Sequence, residues 1–354
     1  MAEITITGWT TRDVRFPTSL DKTGSDAMNA AGDYSSAYCI LQTDSAYTGH
    51  GITFTIGRGN NIVCAAINHV AERIQGRTLQ LRWIGPEKGA KVLGKPVWRV
   101  VADMTPEQFV DCIDFRYITN AVTPDEAIAL LRAAEPGKAA RIRDAEESRA
   151  VPAYTTSAGW LGYGEDKMHG LLQDTLARGY RYFKLKVGRG LEQDRRRLAI
   201  AREIIGYNAG NMCQNRVVFK QLLMAGAIDV CQIDACRMGG VNEVLAVLLM
   251  AKKHGVPIVP HSGGVGLLEY TQHLSTIDYV VVSGKQSVLE YVDHLHEHFR
   301  HPAVIKDGFY QTPTEPGYSA EMKPESMDRY EYPGGEGSWW RTDEAKPILE
   351  GVKI

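Results

Sequence analysis

The chain has 354 residues, 44% hydrophobic and 23% charged, with 40 Lys and Arg against 42 Asp and Glu for a net charge of −2. That composition excludes a wholly disordered or fibrous chain, and so even a balance asks for neither nucleic acid nor an anionic membrane as partner. No run of 18 apolar residues is long enough to span a bilayer, and Met1-Ala2-Glu3-Ile4-Thr5 lacks the basic and apolar segments of a secretory signal.

The six cysteines (Cys39, Cys64, Cys112, Cys213, Cys231, Cys236) are scattered with no Cys-x-x-Cys pair, and read as buried thiols of a reducing compartment, the cytoplasm. The first 57 residues alternate in the manner of strands: Ile4-Thr5-Ile6-Thr7, then Ala37 to Leu41 and Gly51 to Ile56, with Asp44-Ser45 turn chemistry between the last two. Asn60 to Ile74 has helical periodicity and Gly76 as its stop. Residues 77–100 fit no element, broken by Pro86, Gly89, Gly94 and Pro96. Thr123-Pro124-Asp125-Glu126 is a capping box that opens a long helix ending near Arg149.

From Val151 strands and helices alternate, which predicts a parallel α/β sheet or barrel. The predicted strands are Val151–Ala158, Tyr180–Val187, Ala227–Asp234, Val256–Pro260 and Tyr279–Ser283. The helices are Lys167–Arg178, Leu191–Ile205, Gln214–Ala225, Val241–Lys253 and Leu267–Ser275. No strand fits between Ile205 and Gln214. Five strands fill the 140 residues from Val151 to Glu290, where a βαβ unit takes roughly 30 and a closed eight-stranded barrel about 250.

Four features carry chemistry. Lys184 and Lys186 share one face of a strand, so two neighbouring ammonium groups would depress each other's pKa and suit a general base; two solvent-facing lysines on an edge strand are the alternative. Asp234 and His261 end successive strands, where α/β sites gather; taken singly they read as a turn cap and a core histidine, and beside the lysines they read as an acid/base dyad. His261-Ser262-Gly263-Gly264-Val265-Gly266 lacks the Walker lysine and the dinucleotide spacing, and reads as a strand-to-helix turn. His294 and His298 have the one-turn spacing of zinc ligands, but the run reads better as a solvated histidine-rich helix end. Trp339-Trp340 reads as a packing anchor.

Several long segments resemble the enolase superfamily, of the mandelate racemase and muconate lactonizing type, and within it the sugar-acid dehydratases. They are Asp13 to Asn29, Cys112 to Tyr117, the Lys-x-Lys at 184 and 186, Gln232 to Arg237, Pro260 to Gly266 and Glu290 to His298. The resemblance implies an α+β capping domain at 1–125, a linking helix at 126–150, a truncated (β/α)-barrel of about five of eight strands at 151–292, and a segment at 293–354 returning to the capping domain. It implies a lyase that removes a proton α to a carboxylate and then expels the β-hydroxyl, taking L-galactonate to its 2-dehydro-3-deoxy acid in galacturonate catabolism. By motif, Lys186 is the base and Lys184 its neighbour at the substrate carboxylate. His261, oriented by Asp234, is the acid, and Glu290 bonds the substrate. Lys22, Ser25, Asp26 and Asn29 belong to the loop that closes over it.

The cofactor of the family is Mg²⁺, held by carboxylates on the third, fourth and fifth barrel strands in patterns like Asp-Ala-Asn, Glu-Glu-Pro and Gly-Glu. Those patterns are missing from their place here, and the resemblance breaks at Asn211/Met212, after Leu79 and after Gly89. Glu192, Asp194, Glu203 and Asp229 are the only acids between Val187 and Asp234, and none replaces them. The expectation is an impaired or inactive dehydratase. The alternative is a non-catalytic remnant that binds acid sugars or a homologous subunit. The family's habit of assembling makes a homo-oligomer an open expectation.

Overall fold

The computed structural model describes residues 4–25, 29, 32–79, 90–186, 190–204, 211–213 and 215–351. The β-branched alternation at the start folds as expected into an antiparallel sheet. Strands β1 (Ile4–Arg15), β2 (Ser35–Thr43), β3 (Gly49–Thr55) and β4 (Thr78–Leu79) lie in the order β3-β2-β1-β4, with Arg12 opposite Tyr38. Helix α1 (Asn60–Ile74) packs on this sheet. The loop between β1 and β2 is tied at its neck: Phe16 N–H donates to the Tyr34 carbonyl at 2.8 Å, and Thr18 Oγ1 accepts from Tyr34 N–H at 2.9 Å.

The segment that fits no element in the sequence contains a short helix, α2 (Val97–Ala102), and its residues 80–89 lie outside the described residues. Helix α3 (Pro106–Asp111) follows. The capping box at Thr123 forms as expected and opens α4 (Pro124–Ala134). The long helix predicted to follow is two: Pro136 and a left-handed Gly137 break it before α5 (Lys138–Glu146).

The alternating half is built from β5 (Ala153–Thr155), α6 (Glu165–Ala177), β6 (Tyr182–Phe183), α7 (Leu191–Ile204), β7 (Asn211–Cys213), α8 (Arg216–Met224), β8 (Cys231–Ile233), α9 (Val241–His254), α10 (Leu267–Ile277) and β9 (Leu289–Tyr291). Every ladder among these strands is parallel, in the order β6-β5-β9 and, separately, β7-β8. Single bridges join Cys231 to Ile258 and Asp234 to His261. Among the described residues no ladder joins β6 to β7. Helix α9 is buried from Val244 to Ala251 and forms the centre of the larger core.

Three strand expectations change, the first being Val256–Pro260, which makes only the single bridge at Ile258 and no ladder. A strand does fit between Ile205 and Gln214: Asn211–Cys213 pairs with β8, so the Asn211/Met212 break lies inside a strand. The run Tyr279–Ser283 is not a strand. Residues 278–283 extend α10 as a π-helical turn, and the strand there is β9. The β-branched side chains of Val280 and Val282 are buried whichever backbone carries them, and the packing of α9, α4 and α5 against this turn decides for the helix.

The C-terminal segment returns to the first sheet. Tyr38 Oη accepts from Met322 N–H at 3.0 Å and donates to the Ala320 carbonyl at 3.1 Å; Tyr332 N–H donates to the Asp13 carbonyl at 2.7 Å. Val14, Phe16, Tyr34 and Tyr38 share one core with Leu295, Phe299, Met322 and Met327. Trp339 and Trp340 are buried edge to face, 5.0 Å between centroids, and Trp340 Nε1 donates to the Arg15 carbonyl at 2.9 Å, so the pair is a packing anchor. No helix among the described residues is long and apolar enough to cross a membrane, and Cys39, Cys64, Cys112, Cys231 and Cys236 are free thiols.

Candidate active site

The carboxyl ends of the parallel strands bring four of the expected residues together. Beyond β6 the chain stays extended: Lys184 N–H donates to the Thr155 carbonyl at 2.8 Å and Lys186 N–H to the Gly159 carbonyl at 2.9 Å. This close approach requires glycine at 159, where a Cβ would lie 2.6 Å from the Lys184 carbonyl oxygen. The period of two puts Lys184 and Lys186 on one face. Lys184 does not stand as a bare ammonium beside its neighbour: its Nζ is 2.5 Å from Glu290 Oε1.

Glu290 is the hub. It sits on β9, 2% exposed, in register with Tyr154 of β5. The Thr156 hydroxyl donates to its Oε1 and Ser262 N–H to its Oε2 at 3.1 Å. Burial alone would raise its pKa. The Lys184 ammonium, His261 and these donors outweigh burial and hold it well below the usual carboxylate range.

His261 lies 3.8 Å from Glu290 through Nε2 and 3.0 Å from Asp234 Oδ2 through Nδ1. Asp234 is 1% exposed, accepts from Cys236 N–H at 2.9 Å and meets Arg237 at 3.1 Å. Burial would raise its pKa too, and the bond to His261, with the charges of His261 and Arg237, turns the shift downward. A carboxylate at Nδ1 fixes the proton there and presents Nε2 to the site, which is the arrangement of an acid/base histidine.

The loop of residues 16–34 reaches this end. Lys22 and Gly24 have left-handed backbones (φ 61° and 77°), and Ser25 is buried with its Oγ accepting from Gly162 N–H at 2.9 Å. Lys22 and Ser25 thus lie against the turn that follows β5. Asn29 is described on the same loop and Asp26 lies outside the described residues. The glycines after His261 serve packing: a Cβ on Gly264 would meet the Phe54 ring at 2.7 Å and one on Gly266 the Ile52 side chain at 2.1 Å. They let β3 come down onto the strand ends, so this loop is a turn, as expected.

The histidine run differs from expectation. It is not an α-helix, and of its four histidines only His301 is exposed: Leu295 is left-handed (φ 67°), a short 3-10 turn covers His296–His298, and the histidines diverge. His298 stacks on Phe16 at 4.5 Å, His296 pairs with buried Glu269 at 2.8 Å, and His294 lies between Tyr34 and Trp160. Sequence reasoning also missed Thr156; its position just past the carboxyl end of β5, two residues beyond the Tyr154 that faces Glu290, is the signal that could have found it.

The donor set can be tested against a divalent cation. Mg²⁺ takes hard oxygen ligands in octahedral geometry, usually one or two free carboxylates with waters. Both oxygens of Glu290 are engaged by Lys184, Thr156 and Ser262, and both of Asp234 by His261, Arg237 and Cys236. Glu192 pairs with Arg196 at the surface and Asp229 is exposed. No group of three metal-binding side chains occurs among the described residues, so these residues do not fit the ion.

The Enolase C-terminal domain-like family model matches residues 208–326. L-galactonate dehydratase of Hypocrea jecorina is 62% identical over 450 aligned positions that cover all of both chains. Since this chain has 354 residues, at least 96 of those positions (450 less 354) pair a residue of that protein with none here. The crystal structure of human mitochondrial enolase superfamily member 1 superposes with a TM-score of 0.88 at 38% identity, covering 94% of this chain and 98% of that one. L-talarate/galactarate dehydratase from Salmonella typhimurium, liganded with Mg and L-lyxarohydroxamate, shares the fold at 16% identity, with a TM-score of 0.63 over 93% of each chain. The chain belongs to the enolase superfamily.

Proposed function

We propose that this chain carries a sugar-acid dehydratase site for L-galactonate in which the proton-transfer residues are assembled and the Mg²⁺ ligands are not. The observation that supports it is the continuous series Lys184, Glu290, His261, Asp234 at the carboxyl ends of parallel strands. The substrate assignment rests on the Hypocrea jecorina dehydratase, 62% identical.

In this reading Lys186, as the neutral amine, takes the proton from C2, and Lys184 holds the substrate carboxylate beside Glu290. Loss of that proton leaves an enediolate dianion, whose electron pair then forms the C2–C3 double bond as the C3–O bond breaks. His261 gives its Nε2 proton to the leaving hydroxyl, which departs as water, and the enol becomes the 2-keto-3-deoxy acid. Asp234 orients the imidazole. The loop carrying Lys22, Ser25, Asp26 and Asn29 covers the acid. The division into a capping domain at 1–125, a linking segment at 126–150, a barrel part at 151–292 and a returning segment at 293–354 belongs to the same reading, supported by the core that β1, β2 and the C-terminal segment share. So does a cytoplasmic location, supported by the free thiols.

The dianion formed at C2 is the difficult species. In the Salmonella typhimurium enzyme Mg accompanies the ligand. Here Glu290 and Asp234 are committed to the chain's own donors and cations, and each 1.36 kcal/mol of missing stabilisation slows the step about tenfold. The test is to incubate the pure chain with L-galactonate, with Mg²⁺ or with a chelator, and to assay the keto-deoxy acid. The expected result is no Mg²⁺-dependent product from a cooperatively folded chain that binds L-galactonate. Robust chelator-sensitive product would overturn the metal part of the reading, and failure to bind the acid would overturn the substrate part.

A further inference from the structure

Four residues past Glu290, His294 stands where the loop after β1 meets the turn after β5. Its ring is held between Tyr34, 5.0 Å away at the neck of the covering loop, and Trp160, 5.3 Å away on the turn after β5. Tyr34 in turn lies over Gly24, where a Cβ would be 2.2 Å from its hydroxyl, and the Trp160 turn is the one on which Ser25 rests. His294 therefore occupies the seam where the covering loop meets the strand ends.

Both ring nitrogens of His294 are shielded from solvent and neither has a hydrogen-bond partner among the described residues. The other histidines near the strand ends are satisfied: His261 by Asp234, His296 by Glu269, His298 by Ser326, and His273 by Ser319. A buried donor or acceptor left unmade costs about 1–3 kcal/mol, so an imidazole with both unmade is an exception that a ligand would explain. Burial pushes this imidazole down to about 3, so it is neutral and offers one N–H and one lone pair. That pair of roles matches an alcohol, which donates and accepts. It does not match a carboxylate, which only accepts, and the charges of Asp21 and Asp293 act on the same ring and disfavour an anion there.

We propose that His294 is a specificity-determining residue, hydrogen-bonded to a hydroxyl on the tail of a polyhydroxy acid whose carboxylate end lies at Lys184 and Glu290. This rests on the functional reading above and deepens it. His294 touches the tail and takes no part in moving the C2 proton.

The experiment compares two ligands by calorimetry on the full chain: L-galactonate, and glycerate, which keeps the carboxylate and the two reacting carbons and has no tail. His294→Phe keeps the aromatic packing against Tyr34 and Trp160 and removes both polar roles. It is expected to weaken L-galactonate about tenfold, the worth of one hydrogen bond, and to leave glycerate unchanged. Equal binding of L-galactonate by wild type and variant, or equal loss of both ligands, would overturn the inference while the functional reading stands. Binding of neither ligand by the wild type would overturn that reading, and the inference with it. Carbon NMR of histidine-labelled wild-type chain gives a test that needs no variant to fold: the His294 signal is expected to move with L-galactonate and stay with glycerate, and a signal that ignores L-galactonate overturns the inference.

Discussion

Glu290 shows how one buried carboxylate can organise a site. Its charge is balanced by Lys184 and its oxygens are filled by Thr156 and Ser262, so its neutral replacement leaves the Lys184 ammonium without its partner. Glu290→Gln is expected to lower stability by about 3 kcal/mol, as for other buried pairs broken on one side, and to abolish L-galactonate binding. Urea unfolding and calorimetry check both; an unchanged midpoint would show that the pair is not worth its burial. The folded pKa of Glu290 lies below its unfolded value, so this contribution is present above about pH 4.3 and fades as pH falls below it. Lys184, Asp234 and His261 were legible in the sequence because strand ends are legible there, whereas Glu290 was carried by the family motif alone, its strand having been expected at Tyr279–Ser283. His294 was not: a run of four histidines within eight residues has the look of a solvated surface, and only the left-handed turn at Leu295 and the rings of Tyr34 and Trp160 bury it.

Helices α1 and α4 were readable because their signals are local: α1 by its apolar period and the glycine stop at 76, α4 by the capping box at Thr123, which needs four residues and no tertiary partner. The π-helical turn at 278–283 was not, because a Val-Val-Val run favours a strand locally and only its packing reverses that. The turn frees carbonyl groups, and cations answer them: Arg141 Nε donates to the Val280 carbonyl at 3.1 Å and Lys252 Nζ to the Ser283 carbonyl at 2.9 Å. At its start burial pushes the Asp278 carboxyl up to about 7. An acid with a raised folded pKa binds more protons folded than unfolded, so its effect on stability grows less favourable as pH rises from about 4 to about 7. Asp278→Asn is expected to gain about 2 kcal/mol or more relative to wild type at pH 8 and little at pH 4, as read from urea midpoints. A gain independent of pH would exclude this cause. Gly266, left-handed and pressed against Ile52 and Phe299, belongs to the same scale. Gly266→Ala is expected to destabilise by more than 1 kcal/mol, from backbone strain and from parting β3 from the strand ends. A thermal midpoint equal to wild type would show that the two bodies do not meet there.

At the level of the whole chain, two parallel sheets, a capping sheet and a returning tail are held by shared cores while at least 96 positions of a full-length relative have no counterpart. The enolase-like class was legible from motif-bearing segments at both ends of the chain. The strand at Asn211–Cys213 was not, because three residues around a break carry no periodicity. Acid is expected to unfold the molecule early. His273 is fully buried and its pKa is pushed down to about 3 by burial, so unfolding takes up a proton that the folded state refuses. Stability from this group is complete above about pH 6.5 and falls by about 2 kcal/mol by pH 5. His273→Phe should flatten that part of the urea-midpoint profile, and an unaltered slope would assign it elsewhere. The strongest claim made for the molecule is that dehydratase proton-transfer residues are assembled here without a divalent-cation site. Titration of the chain with Mn²⁺ in the presence of L-galactonate, followed by electron paramagnetic resonance, addresses it. The free-ion signal is expected to persist in the presence of an equivalent of chain, whereas tight uptake of one Mn²⁺ per chain would mean that carboxylates outside the series at Glu290 and Asp234 rebuild the metal site.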